Sequence, residues 1–334
     1  MISQIQIINY FINYISGFKY RNSEFGVLQY NNSPILKEKQ LQELLPKSNW
    51  TIKNGNFDKY GGYGKGVNIA VIDTGVDPFH YEFKNVIPLN FTKEELYGNK
   101  PDYYDNQGHG TFVVGLLNCR KKLMGVVPES TIYSMKVINF SNPPLNELEK
   151  NISNAIDQAI KSNCKIITVS LGTPHKSKLI EEKINKAVSK GTLIFAAAGN
   201  EGIYGSRNKS YPASYENVIS VASADERGLP VWFSTMGMGE DPKTQPEAAI
   251  ASLNYHIGCI PNNRYAKMFG TSFACPIMAG IGAKWISNNY SLKNDETNLS
   301  KFREWIKNNT IDSNNNEWDN SLGYGVIKLN KESF

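Results

Sequence analysis

The stretch Val67-Asn-Ile-Ala-Val-Ile-Asp73-Thr-Gly75 carries the pattern that decides the fold. Residues 67–72 form a short and almost wholly apolar run, which is typical of a strand buried on both faces of a parallel sheet. An aspartate and a glycine follow the run directly, so we expect a turn that lets the carboxylate of Asp73 project from the end of the strand.

Similar apolar runs recur along the chain and are separated by helical patterns. We expect further strands at residues 131–137, 165–170, 192–197 and 218–221. Leucine, isoleucine and valine recur at helical spacing in residues 145–160 and 180–188. Strands that alternate with helices predict an α/β fold, with a doubly wound, mostly parallel central sheet and helices on both faces in three α/β/α layers. Active sites in such sheets lie beyond the carboxyl ends of the strands.

Composition narrows the class of protein. The 334 residues are 40% hydrophobic and 20% charged, as expected for a globular protein with a large core. The net charge of +5 is small and the aromatic residues are scattered, so we expect no nucleic-acid partner. No run approaches the ~20 apolar residues of a membrane span, and no signal peptide is recognisable. We expect a cytoplasmic monomer with free thiols.

Three short motifs supply the groups of a nucleophilic hydrolase. Asp73 is followed 36 residues later by His109, which lies between two glycines, and Ser272 follows Gly270-Thr271 ahead of an apolar helix. Acyl transfer by serine needs a nucleophile, a base and a carboxylate that orients the base. The order Asp, His, Ser is one of three chain orders in which this geometry occurs. Taken singly, Asp73 could be a turn former and Ser272 a helix N-cap.

A fourth group could stabilise an oxyanion. Asn200 follows the predicted strand at residues 192–197 and a turn of small residues. Its amide, with the backbone N–H of Ser272, could donate to a tetrahedral intermediate. The alternative is an asparagine that only forms the turn.

These motifs together resemble the subtilisin-like serine proteases (subtilases, peptidase S8 family), from about Trp50 to Leu329. The ending Leu322-Gly-Tyr-Gly-Val-Ile is also similar to that of the family. The resemblance implies a serine endopeptidase with Asp73, His109 and Ser272 as the catalytic triad and Asn200 as the oxyanion donor. It further implies that Ser170-Leu171-Gly172 pairs with an extended peptide or protein substrate, and that Ala197, Ala198, Gly199 and Ser210 line the pocket for the P1 side chain.

The chain departs from the family pattern in two places. Many secreted relatives carry an Asn-rich calcium loop where this chain has a short basic segment with Arg120, Lys121 and Lys122. These cations would repel calcium, which leaves Glu82 as a weak candidate ligand. We therefore expect no required cofactor, with calcium as the one candidate. Residues 244–252 also lack the Ala-Pro-Gly motif common in the family.

Two questions stay open at this level. Residues 1–45 form an N-terminal extension, either an arm that packs on the catalytic domain at 46–334 or a short pro-segment that shields the active site; isoleucines at 5, 8, 12 and 15 predict a helix there. The enzyme could be a general intracellular protease or a dedicated processing protease similar to the leader peptidases of lantibiotics. The intact triad argues against a third reading, an inactive pseudoprotease.

Overall fold

The computed structural model describes residues 35–93, 100–139, 143–202, 210–237, 246–252, 255–289, 295–311 and 317–334. A nine-stranded sheet forms its centre, beside a separate two-stranded hairpin. The sheet contains β1 Asn68–Asp73, β2 Val86–Asn90, β3 Thr131–Lys136, β4 Ile166–Val169, β5 Leu193–Ala197, β6 Ile219–Ala224, β7 Ala248–Ala251, β10 Thr310–Ile311 and β11 Val326–Ile327. The hairpin contains β8 His256–Ile260 and β9 Arg264–Met268.

The order of the strands explains where a site can form. Across the sheet the order is β10-β11-β7-β6-β5-β4-β1-β3-β2, and all neighbours are parallel except β10 and β11. From β1 the chain builds towards β3 and β2 on one side and towards β4 on the other. The junction of β1 and β4 is therefore the switch point at which open α/β sheets bind ligands.

Seven helices complete the described fold. They are α1 Glu38–Ser48, α2 Trp50–Asn54, α3 His109–Asn118, α4 Leu145–Lys161, α5 Lys178–Val188, α6 Thr271–Asn288 and α7 Asn298–Asn308. Helix α6 packs on α3 and on β4, β5 and β6, while α4 packs on α5. The three-layer α/β/α architecture predicted from the sequence is confirmed. None of the described helices has the length and apolar character needed to cross a membrane.

Close packing of α6 on the sheet sets the position of its first turn. The helix is buried from Thr271 to Ile286. At Gly282 a Cβ atom would lie 2.6 Å from the ring of Phe195 on β5, so only glycine allows this approach. Helix α6 therefore lies directly on β5, and its N-terminus is held near the carboxyl edge of the sheet.

The five predicted strands are all present, within a few residues of the predicted bounds. The sequence patterns missed others for physical reasons. Strand β2 is a partly exposed edge strand that contains Pro88, and β7 is built from alanines around one isoleucine, so neither shows the β-branched run of a central strand.

The described start of the chain packs against the hairpin. Ile35 bridges to Ala266, and the backbone N–H of Leu36 donates to the carbonyl of Tyr265 at 2.9 Å. Leu41 on α1 is buried in a cluster with Cys119 and other hydrophobic residues. Residues 35–48 are thus a packed arm, while the helix predicted around residues 5–15 lies outside the described residues. The four cysteines are buried free thiols, as predicted.

Candidate active site

Asp73 and His109 meet at the carboxyl end of β1. Asp73 is the last residue of that strand and His109 the first of α3. Their atoms Oδ1 and Nδ1 lie 2.7 Å apart, and each side chain is 1% exposed. The backbone N–H of Thr74 also donates to Asp73 Oδ1, at 2.7 Å. Because the carboxylate accepts from Nδ1–H, it selects the imidazole tautomer whose Nε2 carries the lone pair.

Opposing effects set the charge of His109. Burial disfavours the imidazolium, but the charge of Asp73, its hydrogen bond and the charge of Asp105 outweigh burial and raise the pKa of His109. The site therefore stabilises a proton on this imidazole, as a general base requires.

Ser272 lies in the first turn of α6, directly before a residue that contacts the His109 ring. It is 4% exposed, and the ring of the next residue, Phe273, lies 5.4 Å from the His109 ring. The Ser272 hydroxyl donates to the carbonyl of Ser170 at 3.2 Å, and the Ser170 hydroxyl donates to the carbonyl of Ser272 at 2.8 Å. This double contact fixes the start of α6 against the end of β4.

Asn200 is oriented by the turn that precedes Ser272. Its Oδ1 accepts from the backbone N–H of Thr271 at 2.9 Å and from the Thr271 hydroxyl at 3.1 Å. An amide that accepts through oxygen must present its NH₂ group in the other direction. The amide as a whole lies against Gly270, where a Cβ atom would be 3.5 Å from Nδ2 and 3.6 Å from Oδ1. The Asn200 amide therefore lies at the N-terminus of α6, against the two residues that precede Ser272.

The segments predicted to bind substrate are adjacent. Strands β4 and β5 are paired, so Ser170-Leu171-Gly172 and Ala197-Ala198-Gly199 leave neighbouring strand ends. Leu171 is 4% exposed and Ala198 is fully buried, so these residues offer mainly backbone to a ligand. A Cβ atom on Gly172 would collide with the hydroxyl of Ser210. Ser210 thus lies against Gly172, next to two hydrogen bonds between Thr173 and Tyr211.

The structure assigns Glu82 a role other than calcium ligand. The side chain is fully buried, and its two oxygens accept from the backbone N–H groups of residues 120–123 at 2.7–3.3 Å. The Tyr265 hydroxyl donates to it as well, at 2.7 Å. Five donors fill the roughly four lone-pair positions of a carboxylate. These residues do not fit a cation at Glu82, whereas calcium as a cofactor of the protein stays a prediction.

Asp105 was missed in the sequence, although a signal was present. An aspartate four residues before a predicted helical residue is well placed to accept from the first N–H groups of the helix. Its carboxylate is buried and accepts from the N–H groups of Gly108 and Thr111, both at 2.8 Å.

Comparisons with known proteins identify the family of the chain. The model of the subtilase family matches residues 64–325. The major intracellular serine protease of Bacillus subtilis (strain 168) is 33% identical over 257 residues, which cover 74% of this chain and 77% of the relative. A thermostable alkaline protease of Halalkalibacterium halodurans is 34% identical over 227 residues, 67% of this chain but only 57% of the relative.

A solved structure shows the same fold. A psychrophilic protease, S41, superposes with a TM-score of 0.69 at 28% sequence identity and covers 84% of this chain and 97% of its own. The family match spans well over half of the chain and contains α3, α6 and every strand of the central sheet except β11. The chain belongs to the subtilase family of serine endopeptidases.

Proposed function

We propose that this protein hydrolyses peptide bonds through an acyl-enzyme, with Ser272 as nucleophile, His109 as general base and Asp73 as the carboxylate that orients the base. The observation that carries the proposal is the 2.7 Å contact between Asp73 and His109 at the switch point of the sheet. Ser272 supports it, since the first turn of α6 packs on the same imidazole through Phe273.

The proposed reaction has two halves. The Ser272 hydroxyl leaves the Ser170 carbonyl, gives its proton to His109 Nε2 and attacks the substrate carbonyl carbon. Asn200 Nδ2 and the backbone N–H of Ser272 donate to the oxyanion that forms, with the positive end of the α6 dipole behind them. His109 then protonates the leaving amine, and a water molecule hydrolyses the acyl-enzyme by the same steps in reverse.

The substrate would bind as an extended strand. Ser170-Leu171-Gly172 continues from β4, and a peptide added to this segment as a strand would pass Ser272. Its P1 side chain would lie between this segment and Ala197-Ala198-Gly199, near Ser210. Leu171 and Ala198 are buried, so backbone contacts would dominate and side-chain selection would fall mainly on the P1 pocket.

The nucleophile can be tested directly. Wild type and Ser272→Ala are compared for peptide hydrolysis and for labelling by a fluorophosphonate, with Ser189→Ala as control because Ser189 is an exposed serine at the end of α5. We expect labelling and hydrolysis to be lost only in Ser272→Ala. Equal labelling of all three proteins would refute the assignment, and a wild type that cleaves no peptide would favour a pseudoprotease.

We further propose general peptide degradation in the cytoplasm, with leader or propeptide processing as the alternative. Support comes from the similarity to a relative named as an intracellular serine protease. Digestion of a mixed peptide library separates the two roles. Many cleavage sites indicate degradation, whereas one narrow motif indicates processing.

A test of the pro-segment interpretation depends on the residue at which the chain is truncated. Removal up to residue 45 would take away Ile35, Leu36 and the buried Leu41, which pack on the hairpin. A chain that begins at Ile35 keeps this arm. If residues 1–34 shield the cleft, this shorter chain has a higher kcat/KM than the full chain at equal thermal stability, whereas equal kcat/KM contradicts shielding.

A further inference from the structure

A second buried carboxylate lies beside the Asp73–His109 pair. Asp105 is 1% exposed. Its Oδ1 accepts from the Thr74 hydroxyl at 2.9 Å and from the N–H groups of Gln107 and Gly108, and its Oδ2 accepts from the N–H of Thr111. Burial raises the pKa of Asp105, and the hydrogen bonds from Thr111 and Gly108 oppose that rise. All four partners are donors, which suits an ionised carboxylate.

Thr74 connects the two carboxylates. Its backbone N–H donates to Asp73 at 2.7 Å, while its hydroxyl donates to Asp105 and accepts from the N–H of Gly110 at 2.9 Å. The direction of these bonds is determined, because the backbone N–H of Gly110 can only donate and the single hydroxyl hydrogen then goes to Asp105. Asp105 thus reaches Asp73 through one residue.

The same contacts hold the backbone on both sides of His109. Gly108 donates to Asp105 and Gly110 donates to Thr74, so the residue between them cannot shift independently. A Cβ atom on Gly110 would lie 3.2 Å from Asp73 Oδ1 and would collide with the carbonyl of Gly75. The first turn of α3 therefore rests directly on the turn after β1, and its position sets the geometry of the imidazole.

Charge adds to this geometry. Among the described groups, Asp73 and Asp105 are the two whose charge favours the imidazolium of His109. Lys136 on β3 donates to the carbonyl of Tyr104 at 2.7 Å. His256 on β8 is neutral near pH 7, since burial lowers its pKa to about 4, and burial raises the pKa of the Cys275 thiol on α6 to about 12. These three groups stay unchanged in the variants compared below.

We propose that Asp105 is a positioning residue for the base: through Thr74 and the first N–H groups of α3 it holds His109 against Asp73, and its charge stabilises the imidazolium that forms when Ser272 loses its proton. The inference rests on the proposed function, because it takes His109 as the base. Asp105 is buried behind the turn after β1 and acts through these neighbours.

Kinetics test the positioning role. We expect Asp105→Asn to lower kcat about 10- to 100-fold, with KM changed by less than about threefold, because the misplaced base acts in the chemical step. Thr74→Val removes the hydroxyl at similar volume and should lower kcat about tenfold, while Thr74→Ser restores the hydroxyl and should recover most of that loss. Equal kcat in the two Thr74 variants would overturn the proposed link from Asp105 through the Thr74 hydroxyl, even if Asp105→Asn does not fold.

A titration independent of activity tests the charge. The chain contains four histidines, so the imidazole signals of isotopically labelled protein can be assigned by single substitutions. Loss of a nearby negative charge should lower the pKa of His109 by about half a unit or more in Asp105→Asn, and should leave it unchanged in Asp225→Asn. An unchanged His109 titration in folded Asp105→Asn overturns the proposal.

The two hypotheses fail in different ways. Fluorophosphonate labelling that Ser272→Ala does not abolish refutes the proposed function, whereas the titration of His109 still decides whether Asp105 acts on it. Conversely, normal hydrolysis that depends on Ser272, together with wild-type kcat in Asp105→Asn, retains the proposed function and rejects Asp105.

Discussion

A buried carboxylate that accepts several backbone hydrogen bonds lies near each end of α3, and the two carboxylates have different roles. At the N-terminal end, the carboxylate of Asp105 accepts from three backbone N–H groups and the Thr74 hydroxyl. Beyond the C-terminal end, the carboxylate of Glu82 accepts from the four N–H groups of residues 120–123 and the Tyr265 hydroxyl. Both side chains are 1% exposed or less.

The difference lies in what the donors belong to. The donors around Asp105 flank His109 and reach Asp73, so the first carboxylate is coupled to a titratable pair. The donors around Glu82 belong to a loop and to the hairpin, and these bonds fix that loop. A buried carboxylate that accepts many hydrogen bonds therefore indicates that the donating backbone is held in place. Whether this contributes to catalysis depends on which groups lie next to those donors.

The largest effect on activity is expected at the N-terminal end of α3, where Asp73 contacts His109. Asp73→Asn leaves the shape intact but removes the acceptor that selects the tautomer of His109, so kcat/KM should fall about 10⁴-fold. Loss of the negative charge also lowers the pKa of His109, which shifts the acid limb of the pH profile to lower pH. Asp225→Asn, an aspartate that follows β6 and pairs with Arg227, is the control and should keep wild-type rates. A fall of less than tenfold in Asp73→Asn would contradict the triad.

A smaller loss is expected at the oxyanion site. Asn200→Ala removes the Nδ2 donor and should lower kcat about 10²- to 10³-fold with little change in KM, because the bond is made only in the transition state. Asn217→Ala removes an exposed amide that bonds to Asn185 and should have no effect. Steady-state kinetics distinguish the outcomes: a rise in KM at constant kcat would indicate ground-state binding instead.

At Glu82, beyond the C-terminal end of α3, we expect a large effect on stability and a small effect on activity. Glu82→Gln replaces one acceptor by a donor that faces backbone N–H groups, so the free energy of unfolding should fall by about 2–3 kcal/mol. Activity at temperatures where the variant is folded should stay within about twofold of wild type. Glu129→Gln, an exposed glutamate, is the control. Denaturant unfolding measures the free energy of unfolding. A large loss of kcat in folded Glu82→Gln would contradict the difference in role between Glu82 and Asp105.

The smallest effect should be that of calcium at Glu82. Because all positions of the carboxylate are occupied by donors, excess calcium and a chelator should give midpoints of thermal unfolding within about 1 °C of each other. A calcium-dependent rise that Glu82→Gln abolishes would place a cation at Glu82 and contradict the donor count. A rise that survives this substitution would place calcium elsewhere.

The sequence predicted the central strands well because both faces of each are buried. Val71 and Ile72 point to opposite faces of β1, and both are fully buried, so the apolar run is a direct consequence of the architecture. The edge strand β2, the alanine-rich β7 and the hairpin are stabilised by neighbours distant in sequence. Their own residues therefore carry a weak strand signal.

The candidate site was predicted for a related reason. Asp73, His109 and Ser272 each lie in a short motif with glycine or a hydroxyl residue, and the three motifs together indicate a site although each alone is ambiguous. Asp105 and Glu82 have no such motif. Their roles depend on donors brought to them by the fold, and in Glu82 these donors come from about forty residues away in the chain.

By itself, the order of apolar runs and short motifs determined a doubly wound α/β protein with an aspartate, a histidine and a serine at strand or helix ends. This is so because burial and turn formation act on neighbouring residues. Only the tertiary structure decided which carboxylates are coupled to the imidazole, that Asn200 accepts hydrogen bonds from Thr271, and that Glu82 fixes a loop. Those outcomes depend on the direction of individual hydrogen bonds between distant segments, which no local pattern encodes.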